Sequence, residues 1–200
     1  MEFITIDTGI YGKYLATCNL PNITVIKSGI SPAVTFNQVL EQSDEDIIVF
    51  IHADTICNNL IHSIEKTMRR FPNWGALGAV GATNYGIRWG EDYESFPVVT
   101  LDSCLLVVNR KHGIRFDVKN FDEFHLFVED YCMQAQAKGL DVRTIYTNGY
   151  EGYSGIYAEG DYFIHFSDTV NKFGGSWGRF STYRERLQKK WRNVKTTSDF

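Results

Sequence analysis

The chain has 200 residues, 44% of them hydrophobic and 22% charged, enough to bury one substantial core within a single domain. No apolar run approaches the roughly 20 residues of a membrane span, and Met1 to Gly9 carries two acids and no base, unlike a secretory leader, so the expected location is cytoplasmic, either alone or as a catalytic piece of something larger. A net charge of -4 argues against broad nucleic-acid binding, and Cys18, Cys57, Cys104 and Cys132, with no Cys-x-x-Cys spacing, read as reduced and mostly buried thiols rather than a zinc site or disulfide framework.

Taken in order, Phe3 to Ile6 can form a short strand, and the β-branched Asn22 to Ile26 a better one. Ser31-Pro32 predicts a helix start, with Val34, Gln38, Val39 and Leu40 carrying it to about Gln42. The polar Ser43 to Asp46 turns into Ile47 to Ile51, an uninterrupted apolar run that reads as a strand buried on both faces and ends abruptly in His52, Ala53, Asp54 and Thr55. Strand, helix and strand in this order predict a βαβ unit and hence a parallel sheet.

Asn58-Asn59 precedes a helix marked by Leu60, Ile64 and Met68, ending near Phe71-Pro72. Gly75 to Ala82 reads as a small-residue strand that permits close approach of a helix or ligand, and Thr83 to Phe96 as a polar, aromatic loop. Val98 to Val108 is a strand or strand pair interrupted by Asp102, and Asn109 to Val118 a basic loop. Glu129 to Lys138 predicts a helix with Tyr131, Ala135 and Lys138 on one face, stopped by Gly139; Asp141 to Tyr146 alternates like a strand. Tyr146 to Phe166 is rich in Gly and Tyr without periodicity, and Ser181 to Trp191 reads as helical. Seven basic residues and one acid lie between Arg179 and Lys195, either a solvated helix face or a contact for an anionic surface.

Two constellations can carry chemistry. His52 and Asp54, two apart in an extended chain, point the same way and can reach one metal ion or one set of phosphate oxygens; alternatively Asp54 caps the helix near Asn58. A haloacid-dehalogenase-type phosphatase would need a nucleophilic Asp where His52 stands. Glu129-Asp130 sits at a helix start, where carboxylates are stabilised by unpaired N–H groups, so the pair is either a helix terminus or a functional acid with His125 as a candidate partner.

Together, FIHADT at 50–55, TLDSCLLVV at 100–108 and FDEFHLFVEDYCMQAQAKGL at 121–140 resemble the family 2 glycosyltransferases of the GT-A fold, in the branch with His-x-Asp in place of Asp-x-Asp. The resemblance covers roughly residues 22 to 155. It implies an α/β fold, a Rossmann-related, mostly parallel central sheet flanked by helices, filling residues 1–200 as one domain with a basic C-terminal helix and tail at 175–200. It implies transfer of a sugar from a nucleotide-sugar donor to a glycan or polysaccharide acceptor, with inversion and a divalent cation, Mn2+ or Mg2+. Asp54, with His52, would hold that cation; Asp130 would be the general base, Glu129 would tune it, and Asp102 would contact donor sugar or acceptor. Asp7, Ser28, Asn37 and His52 fall where the family meets the donor. Two departures stand out: Lys27-Ser28-Gly29 lacks an acidic residue, and Tyr150 to Gly155 lacks the late metal-binding His, leaving Glu151 or the more distant His165 to supply it. The runner-up is a degenerate module that binds nucleotide sugar or glycan without turnover. Trp89, Tyr153 and Trp177 are candidate sugar-stacking rings, and Phe173 to Trp177 a candidate flap.

Overall fold

A computed structural model of the chain describes residues 1–7, 9–27, 31–151, 160–166 and 177–200. Strand β1 (Glu2–Asp7) pairs in parallel with β2 (Ile23–Lys27), and helix α1 (Pro32–Gln42) crosses to β3 (Ile47–Ile51), parallel to β1 on its other side. The expected βαβ unit is therefore present, with β1 lodged between the strands it joins. Pro32 sits in the first turn as expected, but α1 buries Ala33, Phe36 and Leu40 rather than Val34 and Gln38. Phe36 stacks on Phe50 of β3 with ring centroids 3.8 Å apart, and this aromatic contact sets which face turns inward.

Beyond β3 come β4 (Thr55–Asn58), α2 (Leu60–Arg70), β5 (Trp74–Gly78), β6 (Val80–Ala82), β7 (Ile87–Trp89), β8 (Thr100–Leu101) and β9 (Leu105–Asn109). Helix α3 (Phe127–Ala137), β10 (Asp141–Thr144), β11 (Asn148–Glu151), β12 (Tyr162–His165) and α4 (Trp177–Trp191) complete the order. The central sheet runs β10-β5-β9-β3-β1-β2, and only β9 is antiparallel to its neighbours. Two small sheets, β11-β12-β4 and β7-β6-β8, lie outside it.

The apolar run of β3 has the layered environment that such a run requires. Ile48 and Phe50 join a core with Ala33 and Phe36 of α1, Tyr131 and Cys132 of α3, and Tyr183 and Leu187 of α4. Val49 and Ile51 point the other way, to Leu60 and Ile64 of α2. Helices thus cover both faces.

Several boundaries differ from the sequence expectations. The Gly75 to Ala82 run breaks at Ala79 into β5 and β6, which belong to different sheets. A Cβ on Gly75 would lie 2.6 Å from Leu140 Cβ and 2.9 Å from Ala135 Cβ, so the missing side chain is what lets the end of α3 rest on the sheet. Loop 83–96 contains β7, and Asp102 separates two strands, β8 and β9. Helix α3 starts at Phe127, two residues before Glu129, with Leu126 as its N-cap in the left-handed region at φ 61°. No helix among the described residues is long and apolar enough to cross a membrane.

Candidate active site

Because β1, β2 and β3 are parallel, Asp7, Lys27 and the His52-Ala53-Asp54 segment emerge at one edge of the sheet, the edge where open α/β folds bind ligands. Antiparallel β9 begins at that same edge. Ile51 lies opposite Leu105, and the His52 N–H donates to the Cys104 carbonyl at 3.0 Å, which brings Asp102 alongside. A late strand delivers one more side chain: β4 leaves Asp54 and pairs antiparallel with β12, setting His165 opposite Thr55, while the Phe166 N–H donates to the Asp54 carbonyl at 3.0 Å.

The result is a compact donor set. His52 Nδ1 is 3.3 Å from His165 Nε2 and 3.7 Å from Asp54 Oδ1, and His165 Nε2 is 3.5 Å from Asp54 Oδ1. Ligands bound at about 2.1 Å to one ion lie about 3.0 Å apart in octahedral and about 3.4 Å apart in tetrahedral coordination, so the three atoms fit a shared cation with little adjustment. Asp102, Cys104 and His165 make an overlapping group. Burial alone would raise the Asp54 carboxyl, but the hydrogen bond from His165 and the nearby His52 outweigh it and hold the group well below the usual range. Burial and then the neighbouring His165 lower the His52 imidazole and favour its neutral, ligating form. Asp54 is 2% exposed and five residues ahead of the Asn59 N-cap of α2, so it does not cap that helix.

The other carboxylates divide their surroundings unequally. Asp102 accepts from the Cys104 N–H at 2.9 Å and from Thr197 Oγ1 at 3.0 Å; these donors and the two histidines overcome burial and keep it ionised. Asp130 is 0% exposed. Trp191 Nε1 donates to its Oδ1 at 2.6 Å, Gln134 Nε2 to its Oδ2 at 2.8 Å, and Lys190 Nζ sits 2.8 and 3.1 Å from the two oxygens. Glu129, 7% exposed, has no other side chain donating to it among the described residues. Burial first, and then the charge of Asp102, push its pKa up to about 8 against the pull of its own backbone N–H and of Arg184.

Elsewhere the expected residues scatter. Asp7 Oδ1 accepts from the N–H groups of Gly9, Ile10 and Tyr11 at 2.8 to 3.1 Å, which shapes the loop after β1 at the binding edge. The Asn37 amide is engaged by the Phe116 backbone, donating to the carbonyl and accepting from the N–H, both at 2.9 Å. His125 packs on Phe180 and Tyr183. Trp89 is half-buried and packs directly over Gly149. Ser28, Tyr153 and residues 173–176 lie outside the described residues, and the side chains of Glu151 and Trp177 are not described. Of the basic segment, Arg179, Arg184, Arg186 and Lys190 pair with Glu123, Asp199, Asp122 and Asp117 of the same chain. Four of its seven cations are thus engaged internally rather than displayed on a bare solvated face.

Lys190, Trp191 and Thr197 reach the site without any motif to announce them. His165, which the sequence offers beside Glu151 as a substitute for the late metal-binding His, is brought to Asp54 and His52 by β12.

No protein-family model matches the chain, and no curated protein matches it. Solved structures do. S. aureus TarS, residues 1–349, in complex with UDP-GlcNAc superposes with a TM-score of 0.57 at 13% identity, over 98% of this chain and 68% of that one. The same TarS piece described without ligand gives 0.51 at 12% identity over 94% and 72%, and the longer TarS chain 0.53 at 11% identity, where this chain spans 41% of the match. With its mostly parallel central sheet covered by helices on both faces, the chain has the fold of the GT-A-type glycosyltransferases.

Proposed function

We propose that the protein transfers a sugar from a nucleotide-sugar donor to a hydroxyl of a glycan or polysaccharide acceptor, with inversion at the anomeric carbon. The observation that carries this reading is the convergence of His52, Asp54 and His165 with Asp102 at the binding edge of a GT-A-type sheet. The TarS complexes with UDP-GlcNAc and UDP support a nucleoside diphosphate sugar as the donor class.

A divalent cation held by Asp54, His165 and His52, with Mn2+ favoured over Mg2+ by the two imidazoles, would supply positive charge to the departing diphosphate. Asp7 and Lys27, at the ends of β1 and β2, flank the same edge and would meet the nucleoside and its phosphates. Asp102, held in one orientation by Cys104 and Thr197, accepts from a sugar hydroxyl. In this reading Glu129 rather than Asp130 is the general base. Its raised pKa, and the lack of a side-chain donor to it among the described residues, suit a group that takes the acceptor hydroxyl proton while the oxygen attacks the anomeric carbon and the bond to the diphosphate breaks. Asp130 instead anchors Lys190 and Trp191 behind it.

The enclosure of Asp130 favours one alternative, a module that binds donor or glycan without turnover. Nucleoside diphosphate release from a panel of donors, beginning with UDP-GlcNAc and Mn2+, separates the two. Turnover that Glu129→Gln reduces about 10²- to 10⁴-fold with donor affinity retained supports the transferase. Binding of a donor that is never turned over establishes the module instead.

A further inference from the structure

Two thiols stand outside the site described above. Cys18 follows the 3-10 turn Leu15–Thr17, and Cys57 lies in β4, three residues beyond Asp54. The Cys57 N–H donates to Cys18 Sγ at 3.1 Å, which sets the Cys18 sulfur against the Cys57 backbone, and Cys18 Sγ lies 4.0 Å from the Thr55 carbonyl. A cleft of about 330 Å³ lined by Asn19, Leu20, Cys57, Asn58, His62 and Glu65 opens at Cys57 and at Asn19, the residue after Cys18, and Cys18 itself is half-buried and within reach of a small oxidant. Cys104 and Cys132, by contrast, are 0% exposed.

We propose that Cys18 and Cys57 form a redox-modification site at which a hydroperoxide converts two adjacent thiols into a disulfide. Cys18 is the attacking sulfur. Hydrogen bonds from the Cys57 thiol and backbone outweigh burial and bring its pKa down to about 7, whereas pairing with Cys18 and burial push Cys57 up. The Cys18 thiolate attacks one peroxide oxygen, the O–O bond breaks, and Cys18 becomes a sulfenic acid while hydroxide leaves and is protonated to water. The Cys57 sulfur then attacks Cys18 Sγ as it loses its proton, the S–O bond breaks, and a second water departs. Two thiols thereby lose two electrons and two protons, and one hydrogen peroxide becomes two waters. The new bond ties the turn at Leu15–Thr17 to β4; Leu15 already donates its N–H to the Ala53 carbonyl at 3.4 Å, so the clamp closes next to Asp54.

The test treats the reduced full chain with hydrogen peroxide and follows free thiols and non-reducing peptide maps. The expected result is loss of two of the four thiols, a Cys18–Cys57 cross-linked peptide, and full recovery with dithiothreitol. Cys57→Ser should halt at a sulfenic acid on Cys18 that dimedone captures, and Cys18→Ser should spare Cys57. In the unaltered chain, alkylation of Cys18 by iodoacetamide should rise with pH and reach half its plateau at about pH 7, below the range of an ordinary thiol. Absence of the cross-link while Cys18 remains a thiol or passes to sulfinic acid, or undiminished Cys57 oxidation in Cys18→Ser, overturns the proposal.

Discussion

Replacing Glu129 with Gln removes one ionisation and almost no volume, which makes it a direct probe of the strained carboxyl. Its pKa rises from 4.5 to about 8 in the folded chain. A carboxyl raised in this way favours the fold most below pH 4.5 and progressively less as pH climbs toward 8, because the unfolded chain releases the proton that the folded chain retains. Each pH unit in that window is worth about 1.4 kcal/mol, so at neutral pH the carboxyl costs about 3 kcal/mol. Glu129→Gln should therefore match the parent near pH 4.5 and be about 3 kcal/mol more stable at neutral pH, as read from urea unfolding at both values. Turnover should fall in the same variant, the pattern of a site that gives up stability for activity. A stability difference that is the same at both pH values would refute the argument, since only a pH-dependent gain reports the carboxyl.

The remaining predictions concern the metal set, the buried ion pair and the packing of α3. Asp54→Ala and His165→Ala should each abolish the stimulation of donor binding by Mn2+ in calorimetry; an unchanged affinity in either variant removes that residue from the ligand set. Lys190→Met should destabilise the chain by about 3 kcal/mol by stranding the buried Asp130 carboxylate, and Asp130→Asn in the same chain should recover most of the loss; a double variant no better than the single one would show the two groups uncoupled. Gly75→Ala, whose Cβ would meet Leu140 Cβ at 2.6 Å, should cost about 1–3 kcal/mol in chemical unfolding, and a neutral effect would deny the close approach of α3 to the sheet.

What the sequence disclosed was what local period and chemistry encode. The β3 run declared a strand buried on both faces, and its polar tip declared a strand end, because both signals lie within nine consecutive residues. Asp102 interrupting an apolar run likewise marked the gap between β8 and β9. The rest depends on pairing between distant segments. His165 enters only because β12 lies antiparallel to β4, more than a hundred residues away in the chain, and four-residue strands carry too little alternation to reveal themselves. The start of α3 was obscured for a different reason: a left-handed Leu126, a conformation that side chains other than Gly, Asn and Asp rarely adopt, stands where a polar cap would announce a helix.

The division of labour between Glu129 and Asp130 follows from where charge can be compensated. Asp54, Asp102, Glu129 and Asp130 are all buried or half-buried, and like charges in such surroundings are costly unless each acid finds its own donors. Asp54 has the two histidines, Asp102 has Cys104 and Thr197, and Asp130 has Lys190, Trp191 and Gln134. Consecutive residues on a helix point about 100° apart, so α4 can satisfy Asp130 without reaching its neighbour. Glu129 is left buried and facing the charge of Asp102, with its own backbone N–H and Arg184 too weak to offset them, and its pKa rises. The basic composition of the C-terminal segment therefore has a local meaning: Lys190 neutralises the buried Asp130 beside Asp117, Arg184 holds Asp199 and the Thr196 hydroxyl, and the turn they brace presents Thr197 to Asp102. A carboxyl that titrates at about 8 is thus produced by leaving one of the four without a side-chain donor among the described residues.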